Sequence, residues 1–153
     1  MSKSKDVAAF HHVAAPYSPM SRFRSVPGLP SIQHRGHVLA LVTEEYTELV
    51  TAMIDTKNFP EAADAFLDIM YVCLQGLLSM GLAAEEIDAL WVAVHHANMT
   101  KVDPVWGLLD ENEGKPYHTD SGKITKPPGF APPDIEGLIN EMRRKRTDAR
   151  DAE

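Results

Sequence analysis

The chain has 153 residues, 44% of them hydrophobic and 24% charged, and so reads as an ordinary soluble protein long enough to bury one core in a single domain, 1–153. Its 22 acidic side chains against 15 basic ones leave a net charge of −7, which argues against nucleic-acid binding, because the phosphate backbone would be repelled. The single cysteine, Cys73, lies in an apolar stretch; it excludes an intrachain disulfide and predicts a buried thiol in a reducing compartment. With no N-terminal apolar run of the signal-peptide kind, and no segment approaching the roughly 18 uninterrupted apolar residues of a membrane helix, a cytoplasmic protein without membrane contact is expected.

Residues 1–32 carry prolines at 16, 19, 27 and 30 and scattered aromatics (Phe10, Tyr17, Phe23), a composition that predicts an irregular arm with room for a short helix at its start. From about His34, Val38, Val42, Leu49 and Met53 recur at helical spacing, with Tyr46 filling the gap, and predict a helix ending near Asp55. Thr56-Lys57-Asn58 is a connection, and Asn58 followed by Pro60 is a helix start. The second helix, about 60–80, is apolar on almost every side, which predicts a central, buried position; Gly81 stops it. A third helix spans about 84–101, with Ile87, Leu90, Trp91 and Val94 facing inward. Residues 104–133 form a long Gly/Pro-rich loop in which Asp120-Ser121-Gly122-Lys123 has the composition of a hairpin turn. A fourth helix follows Pro132-Pro133-Asp134 through Ile135, Leu138, Ile139 and Met142, with Arg143 to Arg146 near its C-terminus. No strand pattern is strong enough to build a sheet, so the fold class is all-α.

The acids are arranged in two stripes. At about 100° per residue, Glu44, Glu45 and Glu48 fall within an arc of about 100°, and Glu61, Asp64 and Asp68 within about 60°. Antiparallel packing through the 56–59 connection brings the stripes together. Glu-Glu-x-x-Glu alone is common on solvated helix faces, but Asp64 and Asp68 interrupt a helix predicted to be buried, where an unpaired carboxylate is costly. Lys57 is the sole Lys or Arg between Glu44 and Lys101, so cations from the chain are scarce. Packed like charges must protonate or bind cations, and an oxygen-only donor set favours Mg²⁺ or Mn²⁺. Di-iron chemistry is disfavoured, since no Glu has a His three residues later. Two other classes remain open: a non-catalytic helical interaction module with a solvated acidic face, and a carboxylate-rich metal-binding or redox protein.

Glu44-Glu45-Tyr46-Thr47-Glu48, twelve residues, then Glu61-Ala62-Ala63-Asp64 resembles the paired signature of the MazG-like all-α nucleoside triphosphate pyrophosphohydrolases. The run from Glu61 through Asp68 to Tyr71-Val72 is similar to phage and bacterial members related to dimeric dUTPases, and Asn98-Met99-Thr100-Lys101 and Gly122 to Phe130 extend the likeness. The resemblance implies a four-helix bundle that assembles as a homodimer or homotetramer. It further implies hydrolysis of an NTP or dNTP to the monophosphate and pyrophosphate with two or more Mg²⁺ or Mn²⁺ ions. Glu44, Glu45, Glu48, Glu61 and Asp64 would then be metal ligands, with Glu44 or Glu45 as general base and Asp68 as an additional ligand or a support. Asn98 and Lys101 would contact the nucleotide, with Lys123, Lys126 and Arg35 as further phosphate contacts. Trp106 and the arm aromatics are candidates to stack on a base. A resemblance to the phage MazZ type implies dGTP or GTP as substrate.

Overall fold

The computed structural model describes residues 2–151 and is all-helical, as expected, with five α-helices among the described residues. The chain divides into two compact units, Met1–Ile87 with Lys145–Glu153, and Asp88–Arg144.

The first unit is built on α2 (Ile32–Val50) and α3 (Phe59–Ser79), which pack against each other along their length. Each starts on a side-chain cap: Ser31 Oγ accepts from the His34 N–H at 3.2 Å, and Asn58 Oδ1 from the Glu61 N–H at 3.4 Å, with Pro60 in the first turn of α3. Loss of one such cap costs about 1 kcal/mol. α2 runs into a π-turn, Thr51–Asp55, closed by the Thr56 N–H on the Thr51 carbonyl at 3.0 Å. A β-carbon on Gly76 of α3 would lie 3.2 Å from Val38 Cγ1 of α2, so glycine lets the two helices approach closely there. Gly81 ends α3 at φ +82°, with its Cα face against the Val26 carbonyl, a place no side chain fits.

The arm opens on the helix its composition left room for and is irregular beyond it. Residues Lys3–Ala14 form a three-turn helix, α1, capped by Ser2 and buried through Ser4, Val7 and His11. Ser4 Oγ donates to the Ala84 carbonyl, and Phe10 meets Tyr71 of α3 edge-on. The remainder of the arm is a short 3₁₀ turn, Pro19–Ser21, and extended chain. α4 (Ala84–Met99) begins in this unit, where Glu86 Oε2 accepts from the Ala83 N–H at 2.7 Å. Arg146, near the end of α5 (Ile135–Asp151), binds both carboxylate oxygens of Glu86 and donates to the carbonyls of Ser25 and Gly81. One guanidinium thus ties together three segments far apart in sequence.

Three burial expectations are corrected. α3 is not enclosed: Val72, Gln75 and Leu78 are buried, but Leu67 is 63% and Met70 53% exposed, and Asp64, Asp68 and Cys73 face solvent. On α4, Ile87 and Leu90 are buried as expected, whereas Trp91 is 70% exposed and Val94 is exposed too. α3 is also long and apolar enough, by length and composition, to cross a membrane. Core helices of soluble proteins pass the same test, and α3 packs against α1 and α2.

In the second unit the 104–133 segment is loop-like, as expected, with a 3₁₀ turn at Pro104–Trp106. The hairpin turn forms around Gly122, where the Thr119 N–H meets the Lys123 carbonyl and the chain closes in an isolated antiparallel bridge, His118 to Ile124.

Candidate metal and substrate site

Helical spacing places Glu44, Glu45 and Glu48 on the last two turns of α2 and Glu61, Asp64 and Asp68 on the first three of α3. The short connection then turns the second stripe back toward the first. Glu45 records the result. Its carboxyl titrates above the ordinary carboxylate range, first because it is partly withdrawn from water, then because Asp68, Glu48, Glu44 and Asp64 crowd it. Five of the six predicted acids therefore share one electrostatic neighbourhood. Glu61, one turn before Asp64, is exposed and is not among the acids acting on Glu45. None of the six forms an ion pair among the described residues. Arg35 does not offset them: it is exposed, and nine residues along α2 put it about 13 Å up the axis from Glu44.

This donor set fits hard divalent cations, being oxygen-only, negatively charged and without a cation of its own. Its side chains are not drawn into a closed coordination sphere: among the described residues, no three His, Cys, Asp or Glu are placed close enough to hold one ion. The carboxylates are gathered, and rotation of exposed side chains is needed to converge them. Glu44 and Glu48 also line a shallow groove along α2 with Gly36, Leu39, Ala40, Thr43 and Thr47, while Glu45 faces the α3 acids.

The predicted substrate contacts other than Arg35 lie in the second unit. Lys101 Nζ donates to Asn98 Oδ1 at 2.7 Å, the i, i+3 pair read from the sequence. The same ammonium sits 5.0 Å from the centroid of Phe130, and Lys126 Nζ sits 5.3 Å from it. Phe130 thus holds two lysines together, neither with a carboxylate partner among the described residues, a role that the segment Lys126-Pro-Pro-Gly-Phe130 carried without disclosing it. Lys123 stands apart in the hairpin turn, exposed. Beside Phe130 in sequence, Gly129, Ala131 and Pro132 line an apolar pocket with His96, Ala97, Trp106 and Leu108, in which Trp106 and His96 meet edge-on at 4.3 Å.

Fold and site define an all-α protein with a carboxylate cluster between two paired helices. The family model of phosphoribosyl-ATP pyrophosphohydrolase matches residues 25–98, a little under half of the chain, and that family lies in the MazG-like all-α superfamily. The matched stretch takes in α2, the π-turn, α3 and all but the last residue of α4. It contains all six acids and Asn98, and stops short of Lys101, Lys123 and Lys126. It supports a pyrophosphohydrolase acting on a nucleotide-like substrate. No curated protein matches the chain.

Proposed function

We propose that this chain is a divalent-metal-dependent nucleoside triphosphate pyrophosphohydrolase that releases the monophosphate and pyrophosphate, with dGTP or GTP as the preferred substrate. The observation that carries the reading is the carboxylate cluster, five acids sharing one neighbourhood with no ion-pair partner among the described residues. The matched family supplies the reaction class, and the guanine preference rests on the resemblance to the phage MazZ type alone.

In this reading Glu44, Glu45, Glu48, Glu61, Asp64 and Asp68 hold two or more Mg²⁺ or Mn²⁺ ions. Bound divalent ions neutralise a triphosphate and polarise its phosphoryl oxygens. Glu45, at the centre of the cluster, is the shared ligand. Glu44, on the groove side of α2, is the better placed of the two to accept the proton of the attacking water. Asn98, Lys101, Lys123, Lys126 and Arg35 are the proposed nucleotide contacts, of which Lys101 and Lys126 are held by Phe130 and Lys101 is bonded to Asn98. Trp106 stacks on the base.

The test is a panel of NTPs and dNTPs with Mg²⁺ or Mn²⁺, products resolved by anion exchange. Monophosphate and pyrophosphate in equal amounts are expected, fastest with guanine. Metal binding without turnover of any nucleotide would return the protein to the metal-binding or interaction class.

The uncovered apolar face of α3, with Phe66, Leu67 and Met70, supports assembly of the chain as a homodimer or homotetramer. Sedimentation equilibrium is expected to give two or four times the 16.9 kDa chain mass, and a monomer at micromolar concentration refutes the assembly.

A further inference from the structure

The first unit contains a second cluster of titratable side chains, separate from the carboxylates. His11 on α1 and His34 in the first turn of α2 are 4% and 7% exposed. Phe23, in the segment between these helices, packs on both, its ring 4.7 Å from His11 and 6.0 Å from His34. His11 Nδ1 is hydrogen-bonded to Ser21 Oγ at 3.0 Å. The Nε2 atoms of both rings are buried, and neither makes a well-formed hydrogen bond. Buried polar atoms are nearly always paired, so two imidazole nitrogens around one aromatic ring, His34 Nε2 without a partner and His11 Nε2 with only Gln75 near it, call for an explanation.

The surroundings decide which charge state they tolerate. No carboxylate lies within ion-pair distance of either ring among the described residues. His37, one turn beyond His34, opposes a charge on both. Arg22 and Arg24, in the same segment as Phe23, are cations spent on the backbone carbonyls of Ala15 and Val26. From α3, the Gln75 side chain favours a charged His11 by hydrogen bonding to it, while Tyr71 offers a phenol; the nearby Asp6 of α1 acts on that phenol. A neutral ring here forfeits one hydrogen bond. A protonated His34 buries a charge together with an unpaired donor, and a protonated His11 buries a charge that Gln75 answers only in part, which is far costlier.

We propose that His11 and His34 form an acid-released latch: while both rings are neutral, α1 and the segment through Arg24 stay docked on α2 and α3, and protonation of the pair frees this arm.

The direction follows from linkage. Burial, first, and then the neighbouring histidine charge hold both rings below 6.5, so the released arm binds more protons than the docked one. Docking is at full strength above about pH 6.5 and weakens as the pH falls through that value. Each histidine contributes up to about tenfold per pH unit to the docked-to-free ratio, and the pair up to about a hundredfold.

The experiment is backbone-amide NMR of the full chain from pH 7.5 to 5.0, with the imidazole Cε1–H resonances of His11 and His34 followed in the same samples. Amides of residues 3–24 are expected to move together to random-coil positions below pH 6.5, in step with the two rings, while those of residues 59–79 keep helical positions. The double variant His11→Gln/His34→Gln is expected to keep its arm docked throughout. An arm that holds helical positions once both rings are charged overturns the latch. So do rings that stay neutral down to pH 5.0, and a double variant that releases its arm at the wild-type pH. If the double variant does not fold, the wild-type titration decides alone, because ring charge and arm position are read from one sample.

Discussion

Glu48→Gln and Asp64→Asn are each expected to lower nucleotide turnover by about a hundredfold or more, with the far-ultraviolet helical signal unchanged. Both side chains are exposed and neither makes an ion pair among the described residues, so the amide removes charge without disturbing the packing of α2 on α3. What it removes is a hard anionic donor. Changes to groups that merely support a ligand already cost about 10–100-fold in metal affinity or activity, and loss of a ligand should cost at least as much. The two substitutions lie on different helices, so equal losses from both would place the ions between the stripes. Retained turnover in either variant refutes that residue's role. Lys101→Ala provides the contrast in the same assay. It takes a charge from the second unit, so it should raise KM for the triphosphate more than it weakens monophosphate binding; equal losses would argue against a phosphate contact.

The acids were legible because charge and helical period are both written in the residue string. Asn58, Pro60 and Gly81 set the ends of α3 by local chemistry, which needs no knowledge of the rest of the chain. α1 was not legible as a full helix for an equally physical reason. Its buried stripe is Ser4, Val7 and His11, with one apolar residue among three, so the hydrophobic period that reveals an amphipathic helix is nearly absent. Composition also misjudged α3. An all-round apolar surface shows that a helix wants cover, but it does not show how much of that cover the same chain supplies, and here Leu67 and Met70 are left bare. Asp64 and Asp68 therefore persuade by a different argument from burial. They are exposed acids that crowd Glu45 with no cation nearby. Phe130 as the support of two lysines was out of reach, because cation–π pairing across a loop leaves no periodic mark.

Glu45→Gln is expected to act with opposite signs on stability, depending on metal. Glu45 has its folded-state pKa raised above 4.5, so the native state binds the proton more readily than the unfolded chain. The stabilising contribution of the protonated carboxyl is complete below about pH 4.5 and is lost as the pH rises through the raised value. At pH 7 without metal the ionised group is a net liability, held among four like charges. Replacing it with a neutral isostere should relieve that crowding and raise the Tm measured without metal. With Mn²⁺ the sign reverses. An ion at a hundred times its Kd stabilises the folded state by about 2.7 kcal/mol, and a variant lacking the central ligand forfeits part of that gain. Thermal melts with chelator and with saturating Mn²⁺ therefore separate the cluster from a solvated acidic face. An ordinary surface glutamate would move neither Tm by more than a degree or so. If Glu45→Gln raises the chelated Tm and keeps the full Mn²⁺ increment, the acids are crowded but do not bind the ion through Glu45, and the metal-site assignment fails at its centre.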